Sequence, residues 1–379
     1  MDIKIHDTIT DIPTSDWNQL LGNAYPFLRH EFLAALENNH CTGPEFGWLA
    51  RHITVHENNT LVGAMAMYEK DNSYGEFVFD WSWADAYQRN GLSYYPKLVV
   101  AAPYTPATGP RLLVSNTSNP SHVKDVLIRT ALEMVQTHEI SSLHCLFTNE
   151  ADTSELDSHG LLLRMGVQFH WQNHGYRDFS DFLDGFTAKK RKNVKQERRQ
   201  AQASGVEIEI VRGDLASDEQ LEAAELFYRT TFDRKWGTAT LNLGFFQDVA
   251  RSMGEQLVLF LARKEQRYVA GAICFQSEDT LYGRHWGEVE HFPYLHFELC
   301  YYKGIEYCIE QGLQYFEPGA QGEHKISRGF LPTPTWSAHW IKNPEFHKAI
   351  AHFLQHERNA MLEYRNELDT HSPYRVSTA

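Results

Sequence analysis

Cysteine and long apolar runs are scarce in this sequence, and each scarcity excludes a class of protein. The five cysteines in 379 residues are odd in number and form no C-x-x-C pair, which argues against a disulfide framework or a zinc site. The most apolar window, residues 98–110, is short and holds three prolines, so we expect no membrane span. The first seven residues carry no basic region followed by an apolar one. We therefore expect no secretory signal and a soluble cytoplasmic protein.

The motifs of several common enzyme classes are also missing. No G-x-x-x-x-G-K-[ST] loop, no G-x-G-x-x-G after a strand and no G-x-S-x-G elbow occurs. Phosphate-loop, dinucleotide-binding and serine hydrolase activities therefore lack their residues. Two of the 20 histidines, His352 and His356, lie four apart on a predicted helix, but the glutamate of H-E-x-x-H is absent. We expect no bound metal.

Positive charge is scarce overall but concentrated in one segment. The chain has 35 basic and 49 acidic residues, a net charge of −14, which argues against a general nucleic-acid binder. Residues 189–199, beginning at Lys189, nevertheless hold seven basic residues and one acid. On a helix predicted over residues 187–203, Arg191, Lys195, Arg198 and Arg199 share one side. This side is either a solvated helix face or a binding surface for a phosphorylated substrate.

One pattern occurs twice, about 208 residues apart. Residues 48–68 and 257–275 each read as a hairpin of two alternating strands around a polar turn. Gly63 and Gly271 take the same place in the second strand, where glycine often marks a bulge or a close backbone approach. A repeat of this period predicts two copies of one structural unit.

The segments around the two hairpins follow the same order. Each half reads as a strand, two helices, the hairpin, a further strand, a helix and another strand. We therefore predict two copies of one α/β domain, at residues 1–178 and 179–379. The second copy includes the basic helix 187–203 and a C-terminal helix over residues 345–368.

An aromatic and acidic segment at residues 74–85 is a candidate binding surface. We predict a strand over residues 76–83 that places Trp81 and Trp83 on one face, and ligands bind beyond the carboxyl ends of strands in α/β sheets. The pattern fits core packing and an aromatic cradle for a sugar or peptide equally well. The candidate substrate-binding residues, including two from the second half, are Asp80, Trp81, Trp83, Asp85, Tyr95, Lys97, His285 and Trp286.

A second candidate is the loop at residues 316–330. It leaves a predicted strand, contains three glycines, and carries Glu317, His324, Lys325 and Arg328. A purely structural loop seldom concentrates so many titratable groups, so we predict a functional role for it.

At these residues the chain resembles a known family. Residues 26–33, 79–85, 168–171, 295–302 and 321–325 are similar to the bacterial Fem-like family, which is thought to act in peptidoglycan biosynthesis or recognition. The duplicated order of elements resembles the GNAT acyltransferase superfamily in its tandem form. The resemblance implies two tandem GNAT-like acyl-CoA N-acyltransferase domains, with mixed, mostly antiparallel sheets flanked by helices. It covers nearly the whole chain.

The resemblance implies an acyl or aminoacyl transferase acting on a peptidoglycan precursor or another amine acceptor. The alternative is a non-catalytic module that recognises peptidoglycan or carbohydrate. Transfer requires the acceptor amine, with a pKa of about 10.4, to lose a proton to a base. The candidate bases are Glu298, Glu317 and His324, and Tyr302 is the candidate acid for the leaving group. Lys325 and Arg328 are the candidates for holding a phosphate or carboxylate of the donor.

The acyl donor stays open between acyl-CoA and aminoacyl-tRNA. Coenzyme-A-dependent GNAT domains carry [RQ]-x-x-G-x-[GA], so that backbone N–H groups hold the pyrophosphate. Here the final small residue of that motif is Val289, and Glu288 and Glu290 stand where an anion would rest. An aminoacyl-tRNA fits better, and the segment from Lys189 to Arg199 would then meet RNA phosphates.

Overall fold

The chain forms two compact units. The computed structural model describes residues 1–22, 25–115, 119–233, 238–320 and 322–375; Gln321, from one of the family-like segments, lies outside them. The first unit comprises Met1–Val167 and Pro334–Glu363, and the second comprises Gln168–Thr333 and Tyr364–Ala379. The division of the repeat at residue 178 stays a prediction.

The described residues form both strands and helices. The strands are β1 (Asp2–His6), β2 (Leu49–Ala50), β3 (His52–Glu57), β4 (Thr60–Met65), β5 (Met67–Lys70), β6 (Lys97–Val100), β7 (Leu113–Val114), β8 (Ser142–Leu146), β9 (Leu162–Gln172), β10 (Glu207–Arg212), β11 (Leu257–Lys264), β12 (Arg267–Gln276), β13 (Thr280–Glu288), β14 (Tyr315–Glu317) and β15 (Leu331–Ile341). The helices are α1 (Thr14–Leu21), α2 (His30–Asn38), α3 (Trp81–Arg89), α4 (Pro120–Thr137), α5 (Glu150–Ser158), α6 (Phe179–Asp184), α7 (Ala188–Ala203), α8 (Asp218–Asp233), α9 (Leu243–Met253), α10 (Leu295–Phe297), α11 (Lys303–Gln311) and α12 (Pro344–Asp369).

The first unit contains two sets of hydrogen-bonded strands. One has the order β1-β3-β4-β7, and the other has the order β2-β5-β6-β8-β15. Strands β6 and β8 are parallel, with Leu98 opposite Leu143, whereas the neighbouring β15 is antiparallel to β8. Helix α4 buries Val123 and Leu127 in the core that covers these strands. Its apolar residues recur at helical spacing, which gives the helix one buried face.

The second unit places its strands in the order β10-β11-β12-β13-β14-β9. Strands β10 to β13 are antiparallel, and β14 then lies parallel to β13, with Thr280 opposite Tyr315. Most residues of β11 and β12 are buried, as expected for strands covered on both faces. Each unit therefore has a parallel pair next to antiparallel strands.

The two glycines of the repeat each mark a close approach of a helix to a strand. A Cβ on Gly63 would lie 2.3 Å from Cγ1 of Val123, and a Cβ on Gly271 would lie 2.7 Å from Cδ2 of Phe227. Hairpins β3–β4 and β11–β12 each contain a register shift close to the glycine. The close approach that the sequence predicted is confirmed at both positions.

The predicted strand over residues 76–83 is wrong. Asp80 precedes helix α3, and Trp81 and Trp83 lie in the first turn of that helix. The alternation of acidic and aromatic residues has another cause, because Glu76 and Asp80 are buried whereas Phe77 and Phe79 are exposed. In this loop the acids point inward to a buried basic partner, while Phe77 and Phe79 point outward. The sequence therefore alternates with the same period of two residues as a strand.

Candidate functional site

Helix α7 forms one wall of a basic groove in the second unit. The groove has a volume of about 830 Å³ and includes the four side chains that the helical spacing placed on one side. Its lining comprises Phe179, Ser180, Leu183, Ala188, Arg191, Lys192, Lys195, Arg198, Arg199, Gln202, Lys303 and Glu306. Six of these side chains are basic and one is acidic. The groove therefore favours an anionic ligand.

Arg198 connects the groove to a buried carboxylate. Its Nη2 lies 2.8 Å from Oε1 of Glu298, and its Nη1 lies 2.6 Å from Oε1 of Glu306. The Glu298 side chain is 2% exposed and the Arg198 side chain is 14% exposed. The guanidinium also stacks 4.4 Å from the ring centre of Phe179. A planar guanidinium suits this combination of forked hydrogen bonding and stacking.

Glu197, the single acid in the basic segment, holds a second set of contacts. Its Oε1 and Oε2 accept hydrogen bonds of 2.9 and 3.0 Å from Nη2 of Arg328, and Oε2 also accepts from the hydroxyl of Tyr302. Arg328 lies 3.5 Å from the ring centre of Phe297 and donates a 2.7 Å hydrogen bond to the carbonyl of His324. Neighbouring residues of α7 thus bind two different parts of the site.

His324 is the exposed titratable group of this cluster. Its Nε2 lies 2.8 Å from the Tyr301 hydroxyl, and the rings of His296 and Phe297 are its aromatic neighbours. Partial burial, with the cations Arg328 and Lys325 nearby, lowers the pKa of His324 below 6.5. The imidazole is therefore neutral at pH 7 and able to accept a proton.

A π-helical turn presents these partners. Residues Glu298–Tyr302 form five residues of π-helix between α10 and α11. The turn carries Glu298, Tyr301 and Tyr302, whose side chains contact α7 and the loop of His324. Single π turns inside helices are frequent at functional sites. Burial raises the pKa of Tyr302, so its hydroxyl keeps its proton.

The other candidate residues of the second unit differ in burial and in contacts. They are Lys325, Glu317, Trp286 and His285. Lys325 is 2% exposed, burial lowers its pKa to about 8, and its Nζ donates to the Gly319 carbonyl. Glu317 ends β14 and is partly buried. The ring of Trp286 packs against His296, next to His324. His285 contacts Tyr228, and burial lowers its pKa well below the ordinary value.

Two candidates of the first unit, Asp80 and Lys97, belong to a buried ionic cluster. Nζ of Lys97 lies 2.8 Å from Oε2 of Glu76 and also bonds Asp80, and all three side chains are at most 2% exposed. Burial alone would raise the pKa of Asp80, but the Lys97 ammonium holds it below its ordinary value. The Tyr95 hydroxyl bonds Ser73, which also accepts from Lys97. Lys97 and Asp80 are therefore closed to a ligand in this structure.

The remaining three candidates of the first unit differ in exposure. Trp83 is 4% exposed and packs in a core with Tyr87. Asp85 is exposed and pairs with Arg89 one helical turn later, an arrangement of small energetic effect. Trp81 is 48% exposed. Of the two tryptophans that the sequence placed together, only Trp81 is open to solvent.

Four residues of the second-unit site were missed by the sequence analysis. They are Glu197, Phe297, Tyr301 and Glu306. The sequence gave one signal, which is the single acid Glu197 among seven basic residues. An acid within such a run often has a specific partner. Phe297 and Tyr301 lie in the family-like segment 295–302 but were not singled out, and Glu306 gave no signal. The roles of all three depend on contacts with residues distant in the chain.

The backbone after β13 bears on the acyl donor. The strand stays extended to Glu288, where the pyrophosphate-binding motif would turn into a helix. Gly287 packs so tightly that an added Cβ would lie 1.8 Å from the Phe227 carbonyl oxygen. This glycine serves close packing, and Arg284 to Glu288 of the motif-like segment lie in strand β13.

Two further observations concern metals and membranes. Within residues 1–22, 25–115, 119–233, 238–320 and 322–375, no three His, Cys, Asp or Glu side chains gather as metal ligands. In that same part of the chain, each helix is too short or too polar to cross a bilayer.

The fold belongs to the tandem GNAT-like class, as the order of elements predicted. Three solved structures share it at low identity. FemX is 12% identical, with 93% of this chain and 100% of that chain covered and a TM-score of 0.54. The C-terminal domain of a putative lysylphosphatidylglycerol synthetase from Agrobacterium fabrum is 9% identical, with 92% of this chain and 95% of that chain covered and a TM-score of 0.53. L-PGS from Bacillus licheniformis is 11% identical, with 88% of this chain and 98% of that chain covered and a TM-score of 0.51.

The chain belongs to the FemAB-like family, described as acting in peptidoglycan biosynthesis/recognition. The family model matches residues 8–376, nearly the whole sequence. The resemblance seen in the sequence is thereby confirmed. No curated protein matches the chain.

Proposed function

We propose that this protein transfers an acyl or aminoacyl group to an amine of a cell-wall precursor. The observation that carries the proposal is the basic groove of α7 joined to the His324 cluster through Glu197 and Arg198. One surface can hold a phosphorylated substrate, and the adjoining cluster offers a neutral base.

In this proposal His324 accepts the proton of the acceptor amine, directly or through the Tyr301 hydroxyl. The amine nitrogen forms a bond to the donor carbonyl carbon, and the bond from that carbon to the leaving oxygen or sulfur breaks. Glu298 has a positioning role, because Arg198 holds its carboxylate in a fork. The Tyr302 hydroxyl already donates its hydrogen bond to Glu197, so Tyr301 is better placed to protonate the leaving group.

For the anion, the exposed side chains of α7 are better placed than Lys325 and Arg328, whose head groups are buried and paired. We propose aminoacyl-tRNA as the donor. The reasons are the extended backbone through Glu288 and the groove, whose basic side chains suit RNA phosphates. Acyl-CoA stays in the test as the second donor.

The proposal is tested by transfer from labelled aminoacyl-tRNA or acyl-CoA to nucleotide-linked muramoyl pentapeptide. We expect His324→Gln to lower kcat about 10²- to 10⁴-fold, the usual effect of removing a general base, with little change in KM. The matched control is His122→Gln, at an exposed histidine in the first turn of α4. Precursor binding without turnover with either donor would instead identify a recognition module.

A further inference from the structure

A short loop of the first unit presents four aromatic side chains to solvent. Tyr74, Phe77, Phe79 and Trp81 are 66%, 41%, 55% and 48% exposed. The rings of Tyr74 and Trp81 touch edge to face, with centres 5.2 Å apart. Exposed apolar residues scattered singly are ordinary, whereas these four fall within eight residues, as in the apolar patches of interaction sites. We name residues 74–81 the aromatic loop.

The aromatic loop is anchored from inside by charged groups. The buried carboxylates of Glu76 and Asp80 both bond the Lys97 ammonium. Two backbone carbonyls of the loop also have cationic partners. Lys70 Nζ donates to Tyr74 O at 3.0 Å, and Arg164 Nη1 donates to Phe79 O at 2.7 Å. These contacts hold the backbone of the loop in place, which lowers the entropic cost of binding a ligand.

The charge pattern indicates what the aromatic loop binds. Its two carboxylates are buried and both face Lys97, so its exposed side chains carry no charge. An ionic ligand finds no partner on them, and a net charge of −14 disfavours an anionic membrane surface. A neutral pyranose ring fits, because its C–H faces can pack on the rings. The Tyr74 hydroxyl and the Trp81 indole N–H can bond its polar groups.

We infer that the aromatic loop is a saccharide-binding site for neutral, N-acetylated hexosamine rings. The inference rests on the proposed function, since it assigns the glycan part of the cell-wall precursor to this surface. It adds Tyr74, Phe77 and Phe79 to Trp81 as ligand-contacting residues. Trp83 has no part in the site, because its side chain is buried.

Calorimetric titration of the full chain with the N-acetylglucosamine trimer tests the inference. We expect Tyr74→Ala and Trp81→Ala each to weaken binding at least tenfold, while Trp81→Phe, which keeps an aromatic face, gives an intermediate affinity. Tyr315→Ala is the matched control, because Tyr315 is a 43% exposed aromatic residue of the second unit. It should bind the trimer as the natural sequence does. Thermal midpoints verify that each variant is folded.

The titration uses no acyl donor, so its outcome is independent of whether transfer occurs. Absent binding at millimolar trimer, or equal affinity in all variants, would overturn the inference. It would equally be overturned if Trp81→Ala abolished binding to neutral phosphatidylcholine vesicles while trimer binding was unaffected. Self-association that disappears in Trp81→Ala, with no effect on the trimer, would assign the surface to a second copy of the chain.

Discussion

His324 is the residue whose protonation state controls the proposed site. Because its pKa lies below 6.5, we expect kcat/KM to be flat around neutral pH and to fall only at more acidic pH, where the base becomes protonated. Arg328→Met removes a nearby positive charge, so the pKa of His324 should rise and the acidic limb should move to higher pH. The pH–rate profiles of both proteins check this.

Arg328 also pairs with Glu197, so a second variant is needed. Lys325→Met removes the other nearby cation and should shift the same limb in the same direction. Profiles that coincide with that of the natural sequence in both folded variants would contradict a base role for His324.

Arg198 is the residue whose loss should cost the most stability. Arg198→Met leaves the Glu298 carboxylate buried without its cation, which typically costs about 3–5 kcal/mol. Its neighbour Arg199 is exposed and lines the same groove. Arg199→Met is therefore the matched control and should change stability by about 0.5 kcal/mol or less. Urea unfolding measures both, and equal losses would show that the buried pair is not a stabilising contact.

At the scale of elements, helix α7 has two functions on two sides. Glu197 and Arg198 are partly buried and bind the π-helical turn and the His324 loop, while Lys192, Lys195 and Arg199 are exposed. The helical spacing read from the sequence identified the groove side. The inward contacts could not be read from it, because they depend on residues about 100 positions away.

Salt dependence tests the groove side of α7. If it binds RNA phosphates, replacing Lys192, Lys195 and Arg199 by glutamine should weaken tRNA binding and reduce the slope of log K against log salt by about 2–3. The control has glutamine at Arg251, Arg267 and Lys348, three residues about equally exposed. It has the same net charge change. Identical slopes in the two triple variants would leave α7 as a structural helix.

At the scale of the whole molecule, the first unit is built from two separate segments of the chain, and this has a direct consequence for its folding. Strand β15 pairs with β8, with Ser337 opposite Leu146, and Ala338 and Ile341 are buried there. A chain of residues 1–178 lacks this strand, so we expect it to show no cooperative thermal transition. Adding a peptide of residues 331–369 should restore one. If the fragment unfolds cooperatively without the peptide, the division into consecutive domains at residue 178 is supported.

The sequence by itself determined the repeat, the tandem GNAT-like class, the family and the groove side of α7. The repeat and the groove side of α7 follow from local spacing and glycine positions, which a single chain displays directly, whereas the fold class and the family were implied by the resemblance to known proteins. Tertiary structure decided the rest. The alternation at residues 76–83 predicted a strand, but the pairing of Glu76 and Asp80 with Lys97 made it an anchored loop before a helix. From spacing alone, Arg198 looks like a charge on the surface of a helix. In the structure it pairs with the buried carboxylate of Glu298. Contacts between residues far apart in the sequence determine which side chains are buried and which are charged. The spacing of residues along the chain does not reveal these contacts.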